Sequence, residues 1–252
     1  MEKIVLITGA TSGFGKSSAK LFAKNGSNII ITGRRNDRLV ALENKLIDLY
    51  NVRVFPLCFD VRDQQATTEA IVSLPENWKN IDVLVNNAGL ASGLSKIQDG
   101  DFEDWNKMID TNIKGLLNVS RNIMPLMIAR KKGHIINIGS TAGKEVYLNG
   151  NVYCATKFAV DAISKSMRID LLEHGIKVTQ ICPGAAETEF SEVRFHGDKT
   201  KAKEVYKGFQ PMSSSDVASV IYYVTTLPEH LCINDLVLTS LAQANSYYID
   251  RK

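Results

Sequence analysis

The feature that most constrains the fold of this chain is a rhythm. Seven short runs rich in Val, Ile and Leu recur along it, at 3–8, 28–33, 52–59, 81–86, 133–139, 177–182 and 235–239. Most are continuous apolar runs without in–out alternation, as expected of parallel strands buried on both faces. Longer segments with helical spacing lie between them, at 15–25, 37–50, 102–130, 151–174 and 214–226; in the second, Leu39, Leu42, Leu46 and Leu49 recur every three or four residues. Strand–helix alternation with right-handed crossovers predicts an α/β architecture: a doubly wound, Rossmann-type parallel sheet of about seven strands with helices on both faces. The 252 residues show no repeat and no linker, so one catalytic, dinucleotide-binding domain is expected over 1–252. The rhythm breaks once, from Pro183 to about Gln210, where the chain turns polar. Long excursions inside a compact domain are usually functional, and this one is predicted to be a substrate lid at 183–210.

Composition excludes several classes. Net charge is only +3, and basic residues are interspersed with acidic ones, so no nucleic-acid partner is expected. The densest basic patch, Arg130-Lys131-Lys132, falls where a helix should end and suits the helix dipole there. No apolar run approaches the roughly 20 residues of a membrane span, and the first one, Ile4–Ile7, is too short for a signal-peptide core. A cytoplasmic protein without membrane partners is expected. The four cysteines, Cys58, Cys154, Cys182 and Cys232, form no C-x-x-C pair, and no His stands at a zinc spacing. They are read as buried free thiols, and no metal site is expected.

The first strand runs into Thr8-Gly9-Ala10-Thr11-Ser12-Gly13-Phe14-Gly15 and then into a helix. A diphosphate needs backbone N–H donors with no Cβ in the way, and a Gly-rich turn at a helix N-terminus supplies both. Gly9, Thr11, Ser12, Gly13, Phe14 and Gly15 are therefore cofactor-binding candidates. The spacing is G-x-x-x-G-x-G, not the commoner G-x-G-x-x-G. At the end of the second strand, an NAD binder would place an acid for the ribose 2′-hydroxyl. Here Gly33 is followed by Arg34 and Arg35. Guanidinium groups match a phosphate bidentately, so the expected cofactor is NADP. Asp60 and Val61 close the third strand, and Asn87, Ala88 and Gly89 follow the fourth. Both are carboxyl ends of parallel strands, where ligands bind in open α/β sheets.

The chemistry points to Tyr153-Cys154-Ala155-Thr156-Lys157. Residues four apart on a helix share a face, about 6 Å apart along the axis. A phenol with a reference pKa near 10 must be lowered by about 2–3 units to act near neutrality. A neighbouring ammonium and the positive ring of an oxidised nicotinamide have the right sign of charge. Ser140, at the end of the fifth strand, supplies a hydroxyl.

Taken together, these residues resemble the short-chain dehydrogenase/reductase family over essentially the whole chain. The resemblance rests on the 8–15 loop, Asn86–Gly89, Asn112, Ser140, Tyr153, Lys157 and the Pro183-Gly184 turn. It implies roles. Tyr153 exchanges the proton and Ser140 binds the substrate oxygen. Lys157 binds the nicotinamide ribose and lowers the Tyr153 pKa. Asn112 holds a water that links Lys157 to solvent, and Thr188 fixes the nicotinamide carboxamide. In that family the two long helices, here 102–130 and 151–174, commonly form a dimer face and tetramers are frequent, so the resemblance implies a homotetramer, with Ile113, Leu116, Leu117, Met124 and Met127 on the first helix as candidate contacts.

Three stretches narrow the resemblance to the NADP-dependent 3-hydroxy acid dehydrogenases, which include serine and allo-threonine dehydrogenases and malonic semialdehyde reductases. They are Leu74–Trp78, Asn137–Gly143 and Thr188–Phe195. The implied reaction interconverts a small 3-hydroxy acid and its 3-oxo or semialdehyde form. Ala185-Ala186 departs from the pattern, where larger apolar residues are expected, and should widen the site. Arg194, between Val193 and Phe195 in the lid, is the candidate for the substrate carboxylate, the alternative being an ion pair with Glu189 or Glu192. Two other functions stay open. One is a 3-oxoacyl carrier-protein reductase or broad carbonyl reductase of the same family; the other is a non-catalytic NADP-binding regulator. The complete Asn-Ser-Tyr-Lys set speaks against the latter.

Overall fold

The computed structural model describes residues 2–252. Seven parallel strands form one sheet, β1 (Ile4–Ile7), β2 (Asn28–Gly33), β3 (Val54–Cys58), β4 (Val83–Asn86), β5 (Gly133–Ile138), β6 (Ile176–Pro183) and β9 (Asp235–Leu238), in the order β3-β2-β1-β4-β5-β6-β9. Two further short strands are β7 (Ala186–Glu187), inside the 183–210 excursion, and β8 (Met212–Ser213), just past its end. The predicted doubly wound sheet is thus present, each strand within two residues of its expected ends.

The continuous apolar runs are explained by packing on both faces. In β1, Val5 and Ile7 join one core cluster while Ile4 and Leu6 join the other; Ile29 and Ile31 part from Ile30 in the same way in β2. The first cluster is covered by α1 (Gly13–Lys24), α2 (Asn36–Tyr50) and α9 (Ser214–Val224), through Phe22, Leu39, Leu42 and Ile221. The second is covered by α3 (Gln64–Val72), α5 (Leu116–Arg130) and α6 (Asn151–Asp170), through Ile71, Ile123, Met127 and Met167. Each fully buried large side chain contributes about 1.5–3 kcal/mol to such a core. The sheet's edges differ. β9 alternates exposed and half-buried residues, and β3 leaves Cys58 exposed, which corrects the expectation that all four thiols are buried. Cys154 and Cys182 are buried and Cys232 is partly so.

Three further differences from the sequence reading bear on function. The expected helix over 102–130 is α4 (Phe102–Ile109) and α5 joined by a π-helical turn, Asp110–Gly115. Such turns interrupt a helix without ending it and are frequent at functional sites. The helix over 151–174 stops at Asp170, and a 3-10 turn ending on Gly175 in the left-handed region finishes the segment. The 183–210 excursion is partly ordered by α7 (Phe190–Arg194) and α8 (Lys199–Glu204), and the β7–β8 pairing ties its start to the residues just past its end.

Candidate active site

The Gly-rich turn is stitched to the end of β4. Thr8 Oγ1 accepts from the backbone N–H groups of Asn87 and Ala88 at 3.0 and 2.9 Å, and Asn87 Nδ2 donates to Thr8 O at 2.8 Å. Gly13 opens α1 at φ +49°, a conformation that favours glycine. A Cβ on Gly15 would meet Gly9 O and Asn87 Nδ2, each at 2.5 Å. The turn therefore requires glycine on both conformational and packing grounds. The side chain of Ser12, the N-cap of α1, makes no capping bond, and no acid lies in the helix's first turn. This leaves the positive end of the helix facing the cleft, which fits a diphosphate.

The basic end of the cleft is more elaborate than Arg34-Arg35. Arg35 Nη2 donates to Thr11 Oγ1 at 2.8 Å and to Ser12 Oγ at 3.2 Å, so the guanidinium is fastened to the Gly-rich turn. Its Nη1 donates to Glu189 Oε2 at 3.2 Å, and Arg38 Nη1 donates to both Glu189 oxygens at 2.9 and 3.0 Å. Arg34 Nη1 lies 3.6 Å from Asp60 Oδ2, which Arg62 also holds at 2.6 Å. Burial raises the Asp60 pKa, but the Arg62 hydrogen bonds outweigh it and hold the carboxyl below the usual range. Two guanidinium groups already gripping a carboxylate are a direct sign that this corner accepts an anion, and the residues present fit NADP.

The reactive end gathers Ser140, Tyr153, Lys157 and Asn112 from three elements. Ser140 Oγ accepts from Ala142 N at 3.1 Å and donates to Pro183 O at 3.4 Å, which fixes the hydroxyl at the mouth of β5 and β6. Lys157 is buried. Its Nζ donates to Ile138 O at 2.9 Å and stands 5.9 Å from the Tyr153 ring centroid. Burial pulls its pKa down to about 8. Tyr153 is pushed above the ordinary phenol value, first by burial and then by Tyr147, while Ser140 and the Arg194 charge pull it back. The expected depression of Tyr153 is therefore not produced by the protein matrix, because desolvating a phenolate costs more than the nearby positive charges return. Asn112 sits in the π-turn. It brackets Leu90, accepting from Leu90 N and donating to Leu90 O, both at 2.8 Å, and donates to Thr156 Oγ1 at 3.0 Å.

The 183–210 excursion brings Phe190 and Arg194 against this group. Phe190 sets its ring edge to Tyr153, centroids 5.7 Å apart. The Arg194 guanidinium lies 5.3 Å from the Tyr153 ring and 5.5 Å from the Tyr147 ring, and Nη2 donates to Tyr147 Oη. Arg194 Nε is buried with no partner, and Arg194 makes no ion pair among the described residues. The alternative pairing with Glu189 is overturned, since Glu189 is engaged by Arg35 and Arg38. Thr188 Oγ1 accepts from Phe190 N at 3.2 Å, and its side chain lies against Gly13. Ala185 and Ala186 line the cleft beside Gly184.

One cleft of about 580 Å³ is lined by Gly9, Thr11, Ser12, Gly13, Phe14, Arg34, Arg35, Asp60, Val61, Asn87, Ala88, Gly89, Ser140, Tyr153, Lys157, Pro183, Gly184, Thr188 and Arg194. Of the residues singled out from sequence, only Gly15 and Asn112 stand one layer behind its wall. The sequence reading missed Tyr147 and Arg38, and it offered Glu189 as a partner for Arg194 and not for Arg35 and Arg38. Arg38 lies three positions after Arg35, in the first turn of the helix that Arg35 precedes, and that spacing was the available signal.

A Gly-rich turn, an arginine corner and a buried Tyr-Lys pair beside a serine define a nucleotide-dependent oxidoreductase acting on CH–OH groups. The chain belongs to the short chain dehydrogenase family, whose model matches residues 3–199. It is 46% identical over 242 residues to the NADP-dependent 3-hydroxy acid dehydrogenase YdfG of Escherichia coli (strain K12), covering 96% of each chain. It is 44% identical over 253 residues to sulfoacetaldehyde reductase 2 of Chromohalobacter salexigens, covering all of both. Among solved structures it resembles the closed form of serine dehydrogenase complexed with NADP+, at 46% identity and TM-score 0.92, covering 96% of this chain and 97% of that one.

Proposed function

We propose that the protein interconverts a small 3-hydroxy acid, such as serine, allo-threonine, 3-hydroxypropionate or 3-hydroxyisobutyrate, with its 3-oxo or semialdehyde form, using NADP. The observation that carries this reading is Arg194. It is a partly buried guanidinium without a carboxylate partner, placed over the ring of Tyr153 with one N–H unpaired. A 3-hydroxy acid carries its carboxylate two carbons beyond the reacting carbon, and a bidentate cation beside Tyr153 answers that geometry. Two of the relatives, the 3-hydroxy acid dehydrogenase and the serine dehydrogenase, support the same class by name.

NADP, held by the Gly-rich turn and the arginine corner, supplies the two-electron acceptor for the hydrogen that leaves the carbinol carbon. The chain's own residues do the rest. Ser140 hydrogen-bonds the substrate oxygen. Tyr153 Oη takes the carbinol proton during oxidation and returns it during reduction. Lys157, beside the ring, favours the phenolate and holds the nicotinamide ribose. Asn112, from the π-turn, supports a water that connects Lys157 to solvent. Arg194 and the Tyr147 hydroxyl fix the substrate's anionic end, and Phe190 closes water away from Tyr153.

The same proposal places the working protein in the cytoplasm as a homotetramer. Free thiols support a reducing compartment, and exposed apolar residues on the two long helices support assembly. Leu117 and Phe158 are each about two-fifths exposed and Ile169 three-quarters exposed. Of the five residues expected to mark that face, Leu116 and Met127 instead lie in the sheet's core and Met124 packs against it.

The test is Arg194→Ala on a panel of purified substrates with NADP. The loss of kcat/KM should be at least tenfold greater for 3-hydroxy acids than for uncharged alcohols of similar size, as expected for a lost charged hydrogen bond of about 1.5–3 kcal/mol. Equal losses on both would make Arg194 a purely structural lid residue.

A further inference from the structure

The arginine corner has an occupant belonging to the protein itself. Glu189 is the residue just before α7, and its carboxylate bridges Arg35 and Arg38 at 2.9–3.2 Å. No other acid pairs with either arginine among the described residues. Every nitrogen of Arg35 is committed: Nε and Nη2 to Thr11 and Ser12, Nη1 to Glu189. A phosphate arriving here needs donors, and the fork where Arg35 Nη1 and Arg38 Nη1 converge is the one Glu189 now holds. Only one small anion can take the fork between two guanidinium groups without bringing like charges together.

We propose that Glu189 is a built-in competitor for the 2′-phosphate of NADP and that Arg38 is a third cation for that phosphate. Glu189 thus sets how strongly the site prefers a 2′-phosphorylated nucleotide, by making the phosphate displace a carboxylate. The same exchange links the cofactor to the lid. Glu189 is flanked by Thr188, which lies against Gly13, and by Phe190, whose ring meets Tyr153. Capture of Arg35 and Arg38 by the phosphate frees the leading end of α7 at the moment the nucleotide is seated. Anchors at the far end of α7 stay in place: Gly93 N donates to Arg194 O at 2.9 Å, and His196 Nε2 lies 3.3 Å from Asp104 Oδ2. The lid is therefore released at one end only, with Arg194 still over Tyr153.

This inference rests on the reading that Arg34 and Arg35 hold the 2′-phosphate. Its test is binding by calorimetry with two fragments, 2′,5′-ADP and 5′-AMP, which differ only in that phosphate. Glu189→Gln keeps the size and removes the charge. It should tighten 2′,5′-ADP by about three- to fivefold, in keeping with a half-exposed ion pair, and leave 5′-AMP unchanged. Arg38→Gln should weaken 2′,5′-ADP by about three- to tenfold, again without effect on 5′-AMP. Arg34→Gln/Arg35→Gln serves as the control. If the control abolishes the preference for 2′,5′-ADP while Glu189→Gln leaves it unchanged or lowers it, competition is overturned and the cofactor assignment stands. If the control itself leaves the preference intact, both fall together.

Discussion

Lys157 carries its charge against the grain of its surroundings. Its pKa in the fold is about 8, below the roughly 10.4 of an unfolded chain. Between those values the unfolded state binds more protons, so stability rises with pH across that window. Below pH 8 the ammonium is charged in both states and its burial is a standing cost. Lys157→Met should therefore stabilise the fold at pH 7 by about 1–2 kcal/mol, the shift being partly offset by the lost bond to Ile138 O. The gain should shrink toward pH 10 in urea unfolding; a variant less stable than the parent at pH 7 would show that Lys157 supports the fold. Tyr153→Phe should lower turnover by about 10²–10⁴ while leaving NADP binding nearly intact. In the parent, the oxidation rate should climb with pH and level off once Tyr153 is ionised. Near-normal turnover in the Phe variant would remove Tyr153 from the proton transfer. At this scale the sequence carried the residues whose chemistry is set by local spacing, such as Tyr153 with Lys157 and Arg34 with Arg35. It did not carry the pairing of Tyr147 with Arg194 or of Arg38 with Glu189, because those partners arrive from segments more than 40 and 150 residues away.

Strands were more legible than helices because a buried parallel strand needs a dense apolar run and little else. Helix α3 was missed since it buries only Thr67 and Ile71, too sparse a stripe to stand out. Helices α7 and α8 are five and six residues long, shorter than any periodicity can mark. The π-turn between α4 and α5 was invisible for a different reason: widening one turn leaves the apolar pattern on either side intact. What holds that turn is a side chain, since Asn112 satisfies both backbone groups of Leu90. Asn112→Leu preserves the bulk and strips those bonds, leaving a partly buried N–H and C=O without partners. Urea unfolding should show a loss of about 2–4 kcal/mol, and activity should fall with it because Lys157 lies close behind Gly89 on the same wall. Should the Leu variant keep full stability, the turn is fixed by its backbone alone and Asn112 is free for chemistry.

On the scale of the molecule, the sheet order places β1 and β4 side by side, and the cleft opens where the two carboxyl ends diverge, which is where such sheets bind nucleotides. That much follows from strand order and crossover handedness, so it was readable from the alternation alone. Which helix faces remain outside the core was not readable. Leu116, Leu117 and Met127 look alike in sequence, and only the sheet's position shows that Leu117 points away from it. Together with Phe158 and Ile169 on α6, Leu117 leaves apolar surface on the two long helices that a second copy would cover. An interface of about 800 Å² per partner is the usual size for a stable pair; this face alone closes at two copies, and the proposed tetramer requires a second two-fold interface between such pairs. Sedimentation at micromolar concentration should give a species near four times 27.9 kDa. Leu117→Glu combined with Phe158→Glu should reduce it to smaller species, because each places a charge in an apolar contact. The fold of the separated chain should survive, since both side chains lie outside the core clusters. A parent protein that sediments only near 27.9 kDa would refute the assembly and leave those residues as ordinary exposed apolar surface.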